Sequence, residues 1–316
     1  MATNIVFYNL DNLYDTLDDP NTDDDEYTPA GSKRWTPDKY RKKLSNLADV
    51  IASISEMKGG FPAVIGVSEI ENDTVLNDLV SQRRIADVGY KFVHYESNDA
   101  RGVDVAFLYR PALFELMESA PVKPVLRSGR EYIGRDMLYV RGLLKGEMFC
   151  FYVCHFLSRR KGVGVSDGFR RAGAETVYNH SREIVKKYPG IKIIVMGDMN
   201  DRPCDASLTE KLRAKKKISE VGENDFYNPF WDLMDAGQGS SLHYRKWTLY
   251  DNIIVSRNLV RDCKGLKLTQ MEDKHNAIIF RRKFMLRRAF PFGTYRGYKF
   301  IGGYSDHLPI VIRLED

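Results

Sequence analysis

The stretch from Ile191 to Pro203, IKIIVMGDMNDRP, constrains this chain most, because an apolar β-branched run stops at Gly197 and gives way to Asp198, Asn200 and Asp201. A short continuous apolar run bounded by Gly and Pro predicts a strand buried on both faces, with the polar cluster on the loop at its end. Open α/β and two-sheet folds carry their chemistry on such loops. Alone, the cluster also reads as an Asx-rich turn, since Asp and Asn fold back onto their own backbone.

The same pattern recurs along the chain. NIVFYNL, Asn4 to Leu10, reads as a strand closed by Asn9, Asp11 and Asn12. Thr36 and Pro37 open an amphipathic helix with apolar residues at Leu44, Leu47, Val50, Ile51 and Ile54. The run from Ala63 to Val67 meets its first acid at Glu69, and a helix is expected from about Asp73 to Arg84. YKFVHYES, RGVDVAFLYRP, LYVRGLL and MFCFYVCHFLSRR have the alternation and aromatic content of a sheet meander. A second long helix is predicted over Phe169 to Lys187, and LYDNIIVS and HLPIVIRL are the last clear strands. No repeat, low-complexity linker or boundary interrupts the chain. The expectation is one domain over residues 1–316, built from two packed sheets with helices outside.

Asn9, Glu69, His155, Asp198 with Asn200, Asp251 with Asn252, and Asp306 with His307 all fall at or beside a predicted strand end. Each has an ordinary structural explanation as turn former, surface charge or core histidine. Together, buried strand ends bearing only Asn, Asp, Glu and His impose a large desolvation cost unless a cation or a hydrogen-bonded network compensates. Carboxylates and carboxamides are hard oxygen donors suited to magnesium, manganese or calcium, with magnesium or manganese preferred here. Neither a Cys cluster nor an HExxH spacing points to zinc. Such a metal, with two histidines and several arginines, suits phosphoryl chemistry.

These motifs, in order, resemble those of the endonuclease/exonuclease/phosphatase superfamily: Asn9 after the first strand, Glu69 in SEIEN, CHFLSRR, GDMND, LYDNIIVS and SDHLP. The resemblance spans almost the whole chain. It implies a four-layer α/β sandwich, with two packed mixed β-sheets flanked by helices, and hydrolysis of phosphodiester or phosphomonoester bonds with a divalent metal. It makes Glu69 the principal metal ligand, with Asn9 and Asp306 close to the ion. Asp198 and Asn200 match the pair that aligns the attacking water and contacts the phosphate. His155 and His307 match the histidines flanking the scissile phosphate, and Asp251 matches the acid that orients His307. The reaction implied is in-line attack of water on phosphorus, with no covalent enzyme intermediate.

Substrate choice is less constrained. Ser158, Arg159 and Arg160 follow His155, and Arg suits bidentate phosphate binding. Arg101, in RGVDVAFLYR, lies where superfamily members approach the cleft. The net charge of +5 is concentrated between residues 272 and 300, where eight Lys or Arg face two acids and alternate with aromatic residues. That segment either grips DNA or RNA, by backbone contacts and base stacking, or forms a β-hairpin with its aromatics on the core and its charges in water. A lipid headgroup or sugar phosphate is the alternative ligand. The SEIEN sequence lacks the LQE pattern of abasic-site endonucleases, and LYDNIIVS lacks the Cys-Asp-Arg signature of inositol polyphosphate phosphatases. HFLSRR is closer to the pattern of extracellular-type nucleases. A nuclease is therefore the leading expectation.

Composition closes other routes. With 43% hydrophobic and 29% charged residues the chain reads as a soluble globular protein. No window approaches the roughly 18 apolar residues of a spanning helix, and no intact signal peptide opens the chain, so the cytoplasm and secretion after signal removal both remain open. Cys150, Cys154, Cys204 and Cys263 lack the spacing of a disulfide framework, Cys150 and Cys154 sharing one strand face. The acidic stretch Asp18 to Glu26 reads as a solvated loop. Ser305, Asp306 and His307 are adjacent on one loop and cannot form a nucleophile, base and orienter. GVGVSDG, Gly162 to Gly168, has the wrong glycine spacing for a dinucleotide site. A module that binds without catalysis has no need for the full set of His, Asp and Glu.

Overall fold

The computed structural model describes residues 2–126, 132, 134–159, 162–271 and 274–316. Its first large sheet comprises β1 (Thr3–Leu13), β2 (Val64–Ile70), β3 (Lys91–His94), β4 (Asp104–Tyr109), β14 (Lys267–Thr269), β15 (Ile278–Ile279) and β20 (Ile310–Glu315). Its spatial order is β14-β20-β1-β2-β4-β3, with β15 also on β20. The second sheet comprises β5 (Phe114–Val122), β6 (Met137–Leu144), β7 (Glu147–His155), β8 (Lys192–Asp198), β9 (Ala214–Lys215), β10 (Phe226–Tyr227) and β13 (Asp251–Ser256), in the order β5-β6-β7-β8-β13-β10-β9. Both sheets are mixed: β1–β2, β7–β8 and β9–β10 are parallel, the other pairs antiparallel.

Period-two alternation sorts the layers. Along β7, Phe149, Phe151 and Val153 face the first sheet, whereas Cys150, Tyr152 and Cys154 face α3 (Val163–Lys187) through Ala174 and Val177. Between the sheets, Phe107 lies 5.0 Å from Phe151 and 5.4 Å from Phe114, ring centre to ring centre. At Gly66 the sheets approach so closely that a Cβ would sit 2.5 Å from Met196 Sδ. On the far face of the first sheet lie α1 (Pro37–Ile54), through Leu44, Leu47, Val50, Ile51 and Ile54, and α2 (Asp73–Val80), through Val75, Leu76 and Leu79. The result is the expected four-layer α/β sandwich. A short helix, α4 (Trp231–Asp235), and three two-stranded ladders lie outside the large sheets: β11 (Ser241–His243) with β12 (Lys246–Thr248), β16 (Leu286–Arg287) with β17 (Phe290–Pro291), and β18 (Tyr295–Arg296) with β19 (Lys299–Phe300).

Three sequence expectations need correction. The helix expected to reach Arg84 stops at Val80, where Ser81 to Arg84 offer no apolar residue to continue its buried stripe. The helix expected from Phe169 begins at Val163, so GVGVSDG forms its opening turns rather than a loop. Buried Arg170, bonded to Asp201 at 2.8 Å and to Ser166 at 2.5 Å, ties that end to the Asp-Asn loop, and this tertiary contact outweighs the helix cost of Gly164 and Gly168. The basic segment forms two short hairpins rather than one, and residues 272 and 273 at its start lie outside the described residues.

Candidate active site

Strand register assembles the polar residues. In the second sheet His155 on β7 and Asp251 on β13 are the register partners of Asp198 on β8, so three neighbouring strand ends present His, Asp and Asp side by side. In the first sheet the parallel pair β1–β2 loses register at matching places, after Asn9 and around Glu69. Asp11, Asn12 and Glu69 adopt φ of 55°, 58° and 60°, the left-handed region that an L-residue enters at a cost. These bulges turn Asn9, Asn12 and Glu69 toward the second sheet. The loop before β20 adds Asp306 and His307.

The contacts converge on Asp198. Its Oδ2 accepts from Asn9 Nδ2 at 3.2 Å and lies 3.7 Å from His155 Nε2 and 3.9 Å from His307 Nε2. Its Oδ1 accepts from the Asn200 amide at 2.9 Å, and Asn200 Nδ2 donates to Phe156 O at 2.9 Å. Burial and the neighbouring Asp251 charge raise Asp198 to about 6, against the opposing pull of His307. His307 Nδ1 lies 2.7 Å from Asp251 Oδ2, which also accepts from Ser240 Oγ. Burial disfavours the imidazolium, but Asp251, Asp306 and Asp198 outweigh it and carry His307 well above its ordinary pKa.

Glu69 Oε1 lies 3.8 Å from His155 Nε2, and its Oε2 accepts from the Asn12 amide at 3.0 Å. Asp306 is water-accessible at the mouth of the cleft, but the enclosing walls remove much of its hydration, and Asp11 and Glu69 repel its charge. Its carboxyl rises to about 7. Mutually repelling carboxylates beside the Asn9 carboxamide form a hard oxygen donor set, and a divalent cation fits it. Among the described residues, tight groups of three His, Cys, Asp or Glu donors occur at Asp198, Asp251 and His307 and at His94, Glu96 and Asp104, neither of which contains Glu69 or Asp306.

The residues expected to touch substrate divide. Arg101 lines the cleft, donates to Asn12 Oδ1 at 2.5 Å and stands 3.8 Å from Glu69. Ser158 lines it too. Arg159 also reaches the cleft wall, but its guanidinium is committed to Asp201, Asp205 and Asn200 O, over the Tyr250 ring at 5.2 Å. Arg160 lies outside the described residues. Tyr295 and Phe300, in the basic segment, pack on Trp35, while Tyr298 is exposed. The segment also braces the site, because the Thr294 amide donates to Asp11 Oδ2 at 2.9 Å.

Sequence reasoning missed Lys43. It is fully buried and donates to Asp11 O at 3.0 Å, Tyr304 O at 2.9 Å and Thr294 Oγ1 at 2.5 Å, burial lowering its pKa. The signal was present: Lys43 precedes Leu47 by four residues and Val50 by seven, on the apolar stripe of α1. Ser240, His243 and Tyr250 were also missed: Ser240 and His243 lie in a stretch with no periodic pattern, and Tyr250 stands in LYDNIIVS directly before Asp251.

The mannosyl-6-phosphatase of Bacteroides thetaiotaomicron superposes with a TM-score of 0.60 at 14% identity, over 99% of this chain and 100% of that one. The catalytic domain of human nocturnin, bound to sulfate, gives 0.56 at 16% over 99% and 94%. TDP2 of D. rerio, complexed with a single-strand DNA product, gives 0.57 at 14% over 100% and 99%. At these identities the likeness shows the fold. No curated protein matches the sequence. Among the described residues no helix is long and apolar enough to cross a membrane. Residues 4–316 match the model of the Endonuclease/Exonuclease/phosphatase family, and the chain is a member of that family.

Proposed function

We propose that residues 1–316 form one catalytic domain that hydrolyses phosphodiester bonds by in-line attack of water, acting as a nuclease with Mg2+ or Mn2+. The observation that carries this reading is the meeting of His155, Asp198 and the Asp251–His307 pair at one point, opposite Glu69 and Asp306. Glu69, Asn9 and Asp306 are the residues that would hold the metal. Bound there, it would neutralise charge on the phosphate oxygens and the leaving group.

The chain's own groups supply the rest. Asp198, ionised above about pH 6, aligns a water and accepts its proton, with Asn200 fixing the carboxylate through its amide. His307, kept cationic and oriented by Asp251, and His155 on the other side neutralise the phosphate as charge builds. Arg101 and Ser158 contact substrate at the rim. Arg159 instead holds the Asp201 loop in shape.

Nucleic acid is favoured by a hollow beside the cleft, lined by Arg202, Tyr244, Lys246 and Trp247, where cations and rings are arranged for a phosphate backbone and a stacked base. A small phosphate ester is the second reading, because the shared fold includes a mannosyl-6-phosphatase and because much of the aromatic segment is used in packing. The test is hydrolysis of single-strand DNA, duplex DNA, RNA, a sugar phosphate, a choline phospholipid and bis-nitrophenyl phosphate, with each metal and with chelator. Chelator-sensitive nucleic-acid cleavage that fades in high salt supports the nuclease. Turnover confined to the sugar phosphate or lipid overturns it in favour of the second reading.

A further inference from the structure

We propose that His94, Glu96 and Asp104 form a second metal site, taking a borderline transition-metal dication of the zinc type. It lies where edge strand β3 meets β4, and none of the three residues lines the catalytic cleft. Three donor atoms, one from each residue, lie within 4.8 Å of one another. The His94 side chain is 2% exposed, and its Nε2 has no hydrogen-bond partner. That nitrogen stands 3.6 Å from Asp104 Oδ2. The separation is long for a hydrogen bond, but two ligands on one such ion, each at about 2.1 Å, stand roughly 3 to 4 Å apart.

The groups behind these ligands are arranged for the same purpose. His94 Nδ1 lies 2.8 Å from Asp73 Oδ1, at the first position of α2. A carboxylate there accepts a hydrogen bond from Nδ1–H and leaves the Nε2 lone pair facing the carboxylates, the arrangement that holds metal-bound histidines in their tautomer. Asp104 is oriented in turn by Ser97, whose hydroxyl donates to Oδ1 and whose amide donates to Oδ2 at 3.3 Å. Glu96 also borders a cavity of about 310 Å³ lined by Asp15, Asp18 and Asp19, an acidic approach for a cation. One imidazole with two carboxylates selects a borderline dication over calcium or magnesium, which take oxygen ligands.

Occupied, the site would clamp the connection 95–103 to β4 and, through Asp73, to α2. That connection carries Arg101, whose guanidinium reaches Asn12 in the cleft.

The competing account is a protonated His94 held in an ion pair between Asp73 and Asp104, with no metal. Zinc titration by equilibrium dialysis separates them, done in a Cys204→Ser background that removes the exposed thiol. Glu96→Gln, at an exposed position that folding tolerates, should lose one zinc equivalent and the zinc-dependent rise in Tm. Asp73→Asn should weaken that equivalent by about 10- to 100-fold. Glu69→Gln should keep it. The proposal fails if Glu96→Gln binds zinc with unchanged stoichiometry and affinity, or if the equivalent it loses is the one Glu69→Gln loses. It fails equally if the His94 imidazole signals titrate identically with and without zinc.

Discussion

Asp198 stands between two imidazoles, and that position decides what single substitutions should do. Asp251 touches no substrate and acts by orienting His307 and keeping its imidazolium charged. Asp251→Asn should therefore lower kcat by roughly 100- to 10,000-fold while leaving KM within a few-fold, read from steady-state kinetics. Glu71 gives a prediction about stability. Burial raises its carboxyl to about 8, and it accepts from the Asp15 amide at 2.6 Å. With the folded pKa above the unfolded one, the native state holds the proton. Its stabilising contribution is complete below about pH 4.5 and is lost as pH rises through 8. Glu71→Gln cannot ionise, so it should gain on the order of 2 kcal/mol over the parent at pH 9 and nothing at pH 4, measured by denaturant unfolding at each pH. At this scale the sequence was most legible where chemistry forces a residue type: Glu69, His155, Asp198, Asn200, Asp306 and His307 line the cleft, with Asn9 and Asp251 bonded to Asp198 and His307 behind them. It was least legible for Arg159, whose partners Asp201 and Asp205 lie more than forty positions away and whose pairing only the folded loop reveals.

Among the elements, α1 does more than cover a sheet. Its buried Lys43 joins the β1 bulge to the segment before β20, satisfying three acceptors from two distant parts of the chain. Lys43→Met fits the apolar stripe but leaves those acceptors without a donor. It should destabilise the fold by on the order of 3 kcal/mol and reduce activity beyond that loss, because Asp11 and Thr294 lose their anchor. Denaturation midpoints, with activity measured well below the midpoint, check both parts. The boundaries of α2 and α3 were misread for different reasons. The end of α2 was readable, since Ser81 to Arg84 carry no apolar residue, whereas local propensity cannot register that Arg170 is clamped to Asp201. The strands were easier, since alternation in β7 already divides the inward rings from the Cys150–Cys154 face.

For the whole molecule, two sheets meet so that bulged strand ends of one face strand ends of the other, and the cleft exists only because both are present. The register producing it was not visible in any single stretch, although the recurring polar strand ends pointed to it. The basic segment belongs to this scale as well. It braces Asp11 through Thr294 and leaves Tyr298 and several cations outside. If that surface steers nucleic acid, KM for single-strand DNA should rise steeply between 50 and 200 mM salt, on the order of the loss expected for a few phosphate contacts, while kcat changes little. Bis-nitrophenyl phosphate turnover should be nearly insensitive to the same change.

The most direct measurement is turnover of bis-nitrophenyl phosphate by the parent chain and by Asp198→Asn, each shown folded by circular dichroism, with magnesium, with manganese and with chelator. Turnover by the parent that chelator abolishes and added metal restores is expected, with a loss of roughly 100-fold or more in Asp198→Asn with either metal. Turnover that survives chelator, or an Asp198→Asn chain as active as its parent, would contradict it.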